Sequence, residues 1–289
     1  MKKTDKRIKF LGSKIASTSG SQLLKTLVTQ VESGKKTKIV FTPNSEQLVY
    51  AKSHSGFALT LGKADYLLPD GMGIIVASQV LSVFEKSKPI LERIAGVDVV
   101  AELLQHFGTK ENKGKKSPVF MVLGGRDYQG LKYQNWKVVS NSELSKSKTK
   151  ILPKEKAGKR SKSVVSQFRA LYWHEGFLNK TQPTKQEITS VKNFIKKIKP
   201  DVIFVALGSP HQEEWIIKNK AELESAGVRL SMVVGGAFDM LLGKVQRAPK
   251  WMQKIGLEWM FRLYKEPWRW RRQAKLLEFI KIVIQELLG

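Results

Sequence analysis

Apolar residues cluster along this chain in four short runs: Lys38-Ile-Val-Phe41, Val119-Phe-Met-Val-Leu123, Asp201-Val-Ile-Phe-Val-Ala-Leu207 and Leu230-Ser-Met-Val-Val234. Runs this short, rich in β-branched and aromatic residues, read as strands buried on both faces. Each stops at glycine or a small polar group: Thr42-Pro43-Asn44, Gly124-Gly125, Gly208-Ser209-Pro210 and Gly235-Gly236. Between them the pattern predicts helices over 45–53, 74–84, 97–107, 184–197 and 212–226. Strand–helix alternation predicts an α/β fold, a parallel sheet flanked by helices. In such a sheet the loops after the strands share one edge, and ligands bind there. A single such loop reads as turn punctuation; four together predict one shared site.

Strand-like patterning stops near Gly243, which divides a catalytic-sized body, 1–243, from a helical appendage, 244–289. In the last helix Leu276, Ile280, Val283 and Leu287 fall on one face, and Lys275, Glu278, Lys281 and Gln285 on another. That helix could pack on the body, on a second subunit as a homo-oligomer contact, or on a bilayer.

Composition narrows the picture. With 289 residues and 42% hydrophobic content the chain can bury a large core. It has no cysteine, so disulfides and thiolate–metal sites are excluded. The start, Met-Lys-Lys-Thr-Asp-Lys-Arg-Ile-Lys-Phe, is basic with no apolar segment behind it, unlike a secretory signal. The longest charge-free run, 71–84, is 14 residues, against the roughly 20 a spanning helix needs. A cytoplasmic protein, peripheral on a membrane, is the expectation.

The net charge of +26 attracts polyanions: nucleic acid, anionic lipid or diphosphates. Residues 141–163 hold eight Lys/Arg and two Glu with few apolar groups and read as a flexible, solvated insertion. Residues 244–289 hold eleven Lys/Arg, four Glu and four of the seven tryptophans. Trp251 and Trp259 are expected to pack; for Trp268 and Trp270 interfacial anchoring is equally expected.

Several chemistries lack their motifs. Gly71-Met-Gly73 has no third glycine of a dinucleotide fingerprint, and Gly56 to Lys63 is one residue too long for a P-loop, with Ala64 in place of Ser/Thr. His54, His106, His174 and His211 have no metal-ligand spacing. No two aspartates are one residue apart, so there is no Asp-x-Asp metal clamp, and no Gly-x-Ser-x-Gly elbow occurs. Neither a cofactor nor a metal is implied.

Three polar clusters stand: Thr42-Pro-Asn-Ser-Glu-Gln-Leu-Val-Tyr-Ala51, Ala64-Asp-Tyr-Leu-Leu-Pro-Asp-Gly-Met-Gly73 and Leu207-Gly-Ser-Pro-His-Gln-Glu-Glu214. They occur in order with Glu92-Arg-Ile-Ala-Gly-Val-Asp98, Gly235-Gly-Ala-Phe-Asp239 and a tail of Arg-Ala-Pro, Glu-Trp, Arg, Glu-Pro and Arg. This set resembles the WecG/TagA/CpsF glycosyltransferases over about 38–272. The resemblance implies a Rossmann-like core with a C-terminal appendage. It implies inverting transfer from a UDP-sugar to a polyprenyl-diphosphate-linked sugar at the inner face of a bacterial membrane. In the TagA branch the sugar is N-acetylmannosamine and the product feeds wall teichoic acid.

Residue chemistry can be set beside that resemblance. Inverting transfer needs a base at the attacking hydroxyl and cationic or dipolar support for the departing diphosphate. Asp70 is the candidate base, matching the family's; read alone, Pro-Asp-Gly is common turn chemistry. Thr42 and Asn44 offer a hydroxyl and an amide at a strand end, with helix capping as the other reading and Ser45 as the expected cap. Gln212 sits at an expected helix N-terminus and could hold the donor or serve as a cap. Arg93 matches the family's active-site arginine, although 83–89 looks like an insertion before it; an ion pair with Glu92 or Asp98 is the plain reading. Arg262, Arg269 and Arg272 follow the family's spacing of seven and three and suit bidentate diphosphate binding. A chain ending at Gly243 is expected to fold but lose activity. Two other classes compete: a single-stranded nucleic-acid-binding module, suggested by Trp and Arg in the tail, and a noncatalytic membrane adapter. Neither accounts for Asp70, Asn44 and the glycine loops together, so no nucleic-acid partner is expected.

Overall fold

The computed structural model describes residues 7–84, 86, 88–109, 117–146, 168–267 and 270–288, with side chains for all of these except 145, 146, 254 and 271–274. A hairpin comes first, β1 (Arg7–Phe10) and β2 (Ser13–Ala16), then α1 (Gly20–Ser33). Next follow β3 (Lys38–Phe41), α2 (Ser45–Ser53), α3 (Ser55–Gly62), β4 (Tyr66–Leu67), α4 (Met72–Val83) and α5 (Gly96–Thr109). The middle of the chain supplies β5 (Phe120–Gly124), β6 (Lys132–Tyr133), β7 (Trp136–Ser140), α6 (Asn141–Lys146), β8 (Arg169–His174) and α7 (Lys185–Ile198). It continues through β9 (Val202–Ala206), α8 (His211–Lys218), α9 (Lys220–Ser225), β10 (Leu230–Val233) and α10 (Ala237–Leu241). The tail is α11 (Lys250–Lys254), α12 (Glu258–Lys265) and α13 (Trp270–Leu288).

Among the described residues the main sheet has eight strands in the order β4-β3-β10-β9-β5-β8-β7-β6. Every neighbouring pair is parallel except β6 with β7. The register runs Val40 to Met232 to Phe204 to Val122 to Trp173 across the centre. Alternation then sorts the strands onto two cores. Ile39, Phe41, Met121, Leu123, Ile203 and Val205 face one, with α2, α3, α4, α7 and α8. Val40, Val122, Phe204 and Met232 face the other, with α1 and α5. Burial on both faces is why these runs are continuously apolar.

The four predicted strands are β3, β5, β9 and β10, adjacent at the middle of the sheet. Five details differ from the sequence reading. The helix cap at 44–45 is Asn44, whose side chain accepts from Gln47 in a capping box, so Ser45 is the first helical residue. The helix expected over 212–226 is two, because the backbone turns at Asn219, whose Nδ2 also bonds the Trp215 carbonyl at 2.8 Å. Residues 141–146 of the expected flexible insertion are helical; the rest of it, 147–163, lies outside the described residues. On α13 the face against the body centres on Phe279 and Val283, while Ile280 is exposed, because α13 lies across α2 and α4. Trp251 and Trp259 are exposed rather than packed, and Trp259 lines the cleft described below.

Candidate active site

The strand ends converge as the parallel sheet requires. The loops after β3, β4, β5, β8, β9 and β10 line one cleft of about 1830 Å³, and α12 and α13 form its outer wall. Thr42, Asn44, Asp70, Arg93, Gln212 and Arg262 all face it. Arg269 lies outside the described residues, and Arg272 belongs to α13 without a described side chain.

Asp70 ends the loop after β4, where its backbone N–H donates to the Pro43 carbonyl at 3.3 Å. One carboxylate oxygen accepts from the Gly96 N–H at 3.2 Å. The Arg93 guanidinium is 4.0 Å from the same oxygen. Enclosure in the cleft raises the Asp70 pKa to about 6, against the opposing pull of Arg93, the Gly96 N–H and Arg262. A third of the side chain still meets solvent (34%), so the carboxyl is reachable from the cleft. Gly96 matters by size: a Cβ there would fall 2.9 Å from the Thr42 methyl, so only glycine lets α5 start beside Asp70 and Thr42.

Arg93 does not pair with Glu92 or Asp98, the plain reading of its sequence. Its Nε donates to the Asp70 carbonyl at 2.6 Å and its Nη2 to Glu258 at 2.8 Å. Glu92 instead accepts from the Gly20 N–H, and Asp98 is held by Arg247 at 2.5 and 2.9 Å. Arg247 also reaches Glu258 at 3.4 Å. An ionic chain Arg93–Glu258–Arg247–Asp98 thus fastens the tail to the body. Glu258, at 7% exposure, sits between two guanidiniums. Arg93 therefore braces the Asp70 backbone as well as facing the cleft.

On the opposite wall, the first turn of α8 presents Gln212, 4% exposed. Its Nε2 donates to Glu213 at 3.0 Å, which directs Oε1 elsewhere, and that oxygen is buried without a protein partner. An acceptor left this way suits an N–H or O–H of a ligand. Glu213 is fully buried and also accepts from Gln47 at 2.9 Å, and Gln47 Oε1 accepts from the Asn44 N–H at 3.0 Å. Burial raises Glu213 to about 7, with the Gln212, Ser209 and Gln47 side chains pulling it down. Asn44 spends its Oδ1 on the cap at 3.0 Å, leaving its amide N–H groups as the donor side for a ligand. Asp239, after β10, accepts from the buried Tyr128 hydroxyl at 2.8 Å at the cleft edge.

Glu213, Glu258 and Asp239 were not singled out by sequence reasoning, although each stood inside a quoted motif. For Glu258 and Asp239 the signal is a charged residue within a run of otherwise small or apolar groups; Glu213, in a polar first turn, carries no such signal.

A Rossmann-like cleft lined by a carboxyl, by Arg93 and Arg262 and by a helix N-terminus defines a class that binds a polar, anionic ligand at the carboxyl ends of parallel strands. The glycosyl transferase WecG/TagA/CpsF family model matches residues 8–135 and 147–289, and the chain belongs to that family. It is 29% identical, over 86% of its length and 79% of the relative's, to the N-acetylglucosaminyldiphosphoundecaprenol N-acetyl-beta-D-mannosaminyltransferase of Bacillus subtilis (strain 168). A Staphylococcus aureus (strain MW2) protein of the same description is 26% identical over 93% of this chain and 88% of its own. Among the described residues no helix is long and apolar enough to cross a membrane.

Proposed function

We propose that this protein is an inverting glycosyltransferase that moves N-acetylmannosamine, or a close relative, from a UDP-sugar to an undecaprenyl-diphosphate-linked sugar. The product would feed wall teichoic acid or another cell-surface polysaccharide. The carrying observation is Asp70: a cleft-floor carboxyl, oriented by the Gly96 N–H and raised to about 6, so that it is ionised yet basic near neutral pH. Pockets for one ligand commonly hold about 300–1,000 Å³; about 1830 Å³ leaves space for a donor and an acceptor together. The description of the relatives, with this site's geometry, supports the choice of substrates.

The donor lies across the ends of β3 and β9, with Thr42, the Asn44 amide and Gln212 Oε1 on its polar groups. The acceptor hydroxyl meets Asp70, whose carboxylate takes the proton as that oxygen bonds to the anomeric carbon. The anomeric carbon–phosphate oxygen bond breaks on the opposite face, and its electron pair leaves with UDP. Arg262, joined by Arg269 and Arg272 of the tail, offsets the charge that develops on the diphosphate. The polyprenyl acceptor places this chemistry at the inner membrane surface, where basic and aromatic tail residues meet anionic headgroups.

The test is UDP release from UDP-N-acetylmannosamine with a soluble diphosphate-linked acceptor. Asp70→Asn should lower turnover at least a hundredfold, on the scale of a lost general base, while UDP affinity stays within about threefold. Because the base must be ionised, kcat/KM should climb through about pH 6 and level off above it. Wild-type turnover by Asp70→Asn would remove Asp70 from the mechanism.

A further inference from the structure

The cleft does not end at Asp70. It continues outward between α4 and α13, which meet where Phe279 lies against Gly73. Val76 and Val80 line it from α4, and Ile280 and Ile284 from α13. These four are 52%, 39%, 48% and 48% exposed. A spacing of four makes each pair a stripe along its helix. Phe279 and Val283, buried to 2% and 8%, form the floor. From Gly71 to Phe84 no charged residue interrupts the α4 side. The result is a linear apolar trough whose inner end opens on Arg93, Arg262 and Asp70.

Two aligned apolar stripes facing water are unfavourable unless something covers them. Continuity with the catalytic cleft selects the occupant: an apolar chain attached to a group that reaches Asp70. We propose that this trough binds the first isoprene units of the acceptor's lipid chain, directly beside its diphosphate, and so lifts them out of the bilayer to seat the sugar at Asp70. The inference rests on the transferase reading above and adds a subsite to it.

The experiment uses the full chain in buffer free of vesicles and detergent. Binding of dimethylallyl, geranyl and farnesyl diphosphate is measured by calorimetry. Affinity should rise on the order of tenfold per isoprene unit, the scale for partial burial of about five carbons. In the Val80→Asn, Ile280→Asn double variant the gradient should collapse to about threefold or less per unit. Both positions are substantially exposed, and circular dichroism verifies the fold. The wild-type gradient is a test by itself. Equal affinity for all three tails overturns the trough, as does a gradient that survives in the double variant. So does a flat wild-type series from a protein that the same two substitutions release from anionic vesicles, which would make this face a bilayer contact. UDP release with a methyl-diphosphate-linked acceptor reads the transferase independently. Its absence alongside an intact gradient would count against transfer and for the trough.

Discussion

Glu213 is a fully buried carboxyl, held by two amides that come from different helices. Its pKa is raised from 4.5 to about 7, so the native state keeps a proton that the unfolded chain releases. The resulting stabilisation is fully present below about pH 4.5 and is lost as pH rises through about 7, a change of roughly 3 kcal/mol. Glu213→Gln keeps an acceptor for Gln47 and Gln212 but cannot ionise. Urea unfolding at about pH 5 and pH 8 should therefore show a smaller loss of stability in the variant by about that amount. Equal pH slopes in the two proteins would take Glu213 out of the titration. The contrast with Asp70 explains what a sequence can reveal at this scale. Asp70 follows an apolar run and precedes Gly71, so its loop position was legible, while its candidacy as a base came from the resemblance, since Pro-Asp-Gly alone is common turn chemistry. Glu213 and Glu214 are adjacent acids in a helix's first turn, which reads as a match to the helix dipole. The burial of one and not the other depends on Gln47, 166 residues away. Asn44 caps α2 with its side-chain oxygen and also lines the cleft, where its amide nitrogen carries the proposed donor contact.

Elements were legible where burial is complete. β3, β5, β9 and β10 are apolar throughout because helices cover both faces. β4 and β6 have two residues each and leave no pattern to read. β7 alternates, with Lys137 exposed between buried Trp136 and Val138, so it did not register as a run. α1 carries Leu23, Leu27 and Val31 in a stripe, and its spacing was readable but not taken up. The tail shows the other limit: its arginine spacing was visible, while its fastening was not. Glu258, at the start of α12, links Arg93 on the segment before α5 to Arg247 before α11. Removing it leaves two guanidiniums facing each other in a half-buried site, a loss of about 3–5 kcal/mol by analogy with broken buried pairs. Glu258→Ala should lower the unfolding free energy by about 3 kcal/mol and reduce kcat more than UDP affinity, since Arg93 loses its anchor beside Asp70. A double-mutant cycle with Arg247→Ala should be non-additive, because both act on one ionic chain. Additive losses, with kcat intact, would mean that the tail is held by apolar contacts alone.

At the scale of the molecule, the tail combines excess positive charge with exposed apolar groups. The chain carries +26 overall, and residues 244–289 contribute eleven Lys/Arg against four Glu. Trp251, Ile255, Tyr264 and Trp270 on the tail are each at least 59% exposed. Cations supply long-range attraction to an anionic bilayer, about 1 kcal/mol each near the surface and screened by salt. In the proposed membrane contact, exposed aromatic and aliphatic groups would supply the salt-insensitive part by entering the headgroup region. A chain ending at Gly243 keeps most of the net charge and all eight strands of the main sheet. It loses Phe279 and Val283 from one core, Glu258 from the ionic chain and the outer wall of the cleft. We expect it to fold with reduced stability, to release no UDP, and to bind anionic vesicles weakly at low salt and not at all at high salt. The full chain should be held strongly at low salt and keep a measurable fraction at high salt, because its apolar contacts persist when charge is screened. Co-sedimentation of both proteins across a salt series separates the two contributions. If the two curves coincide, the attraction comes from the body's general positive charge, and the tail's role is confined to closing the site.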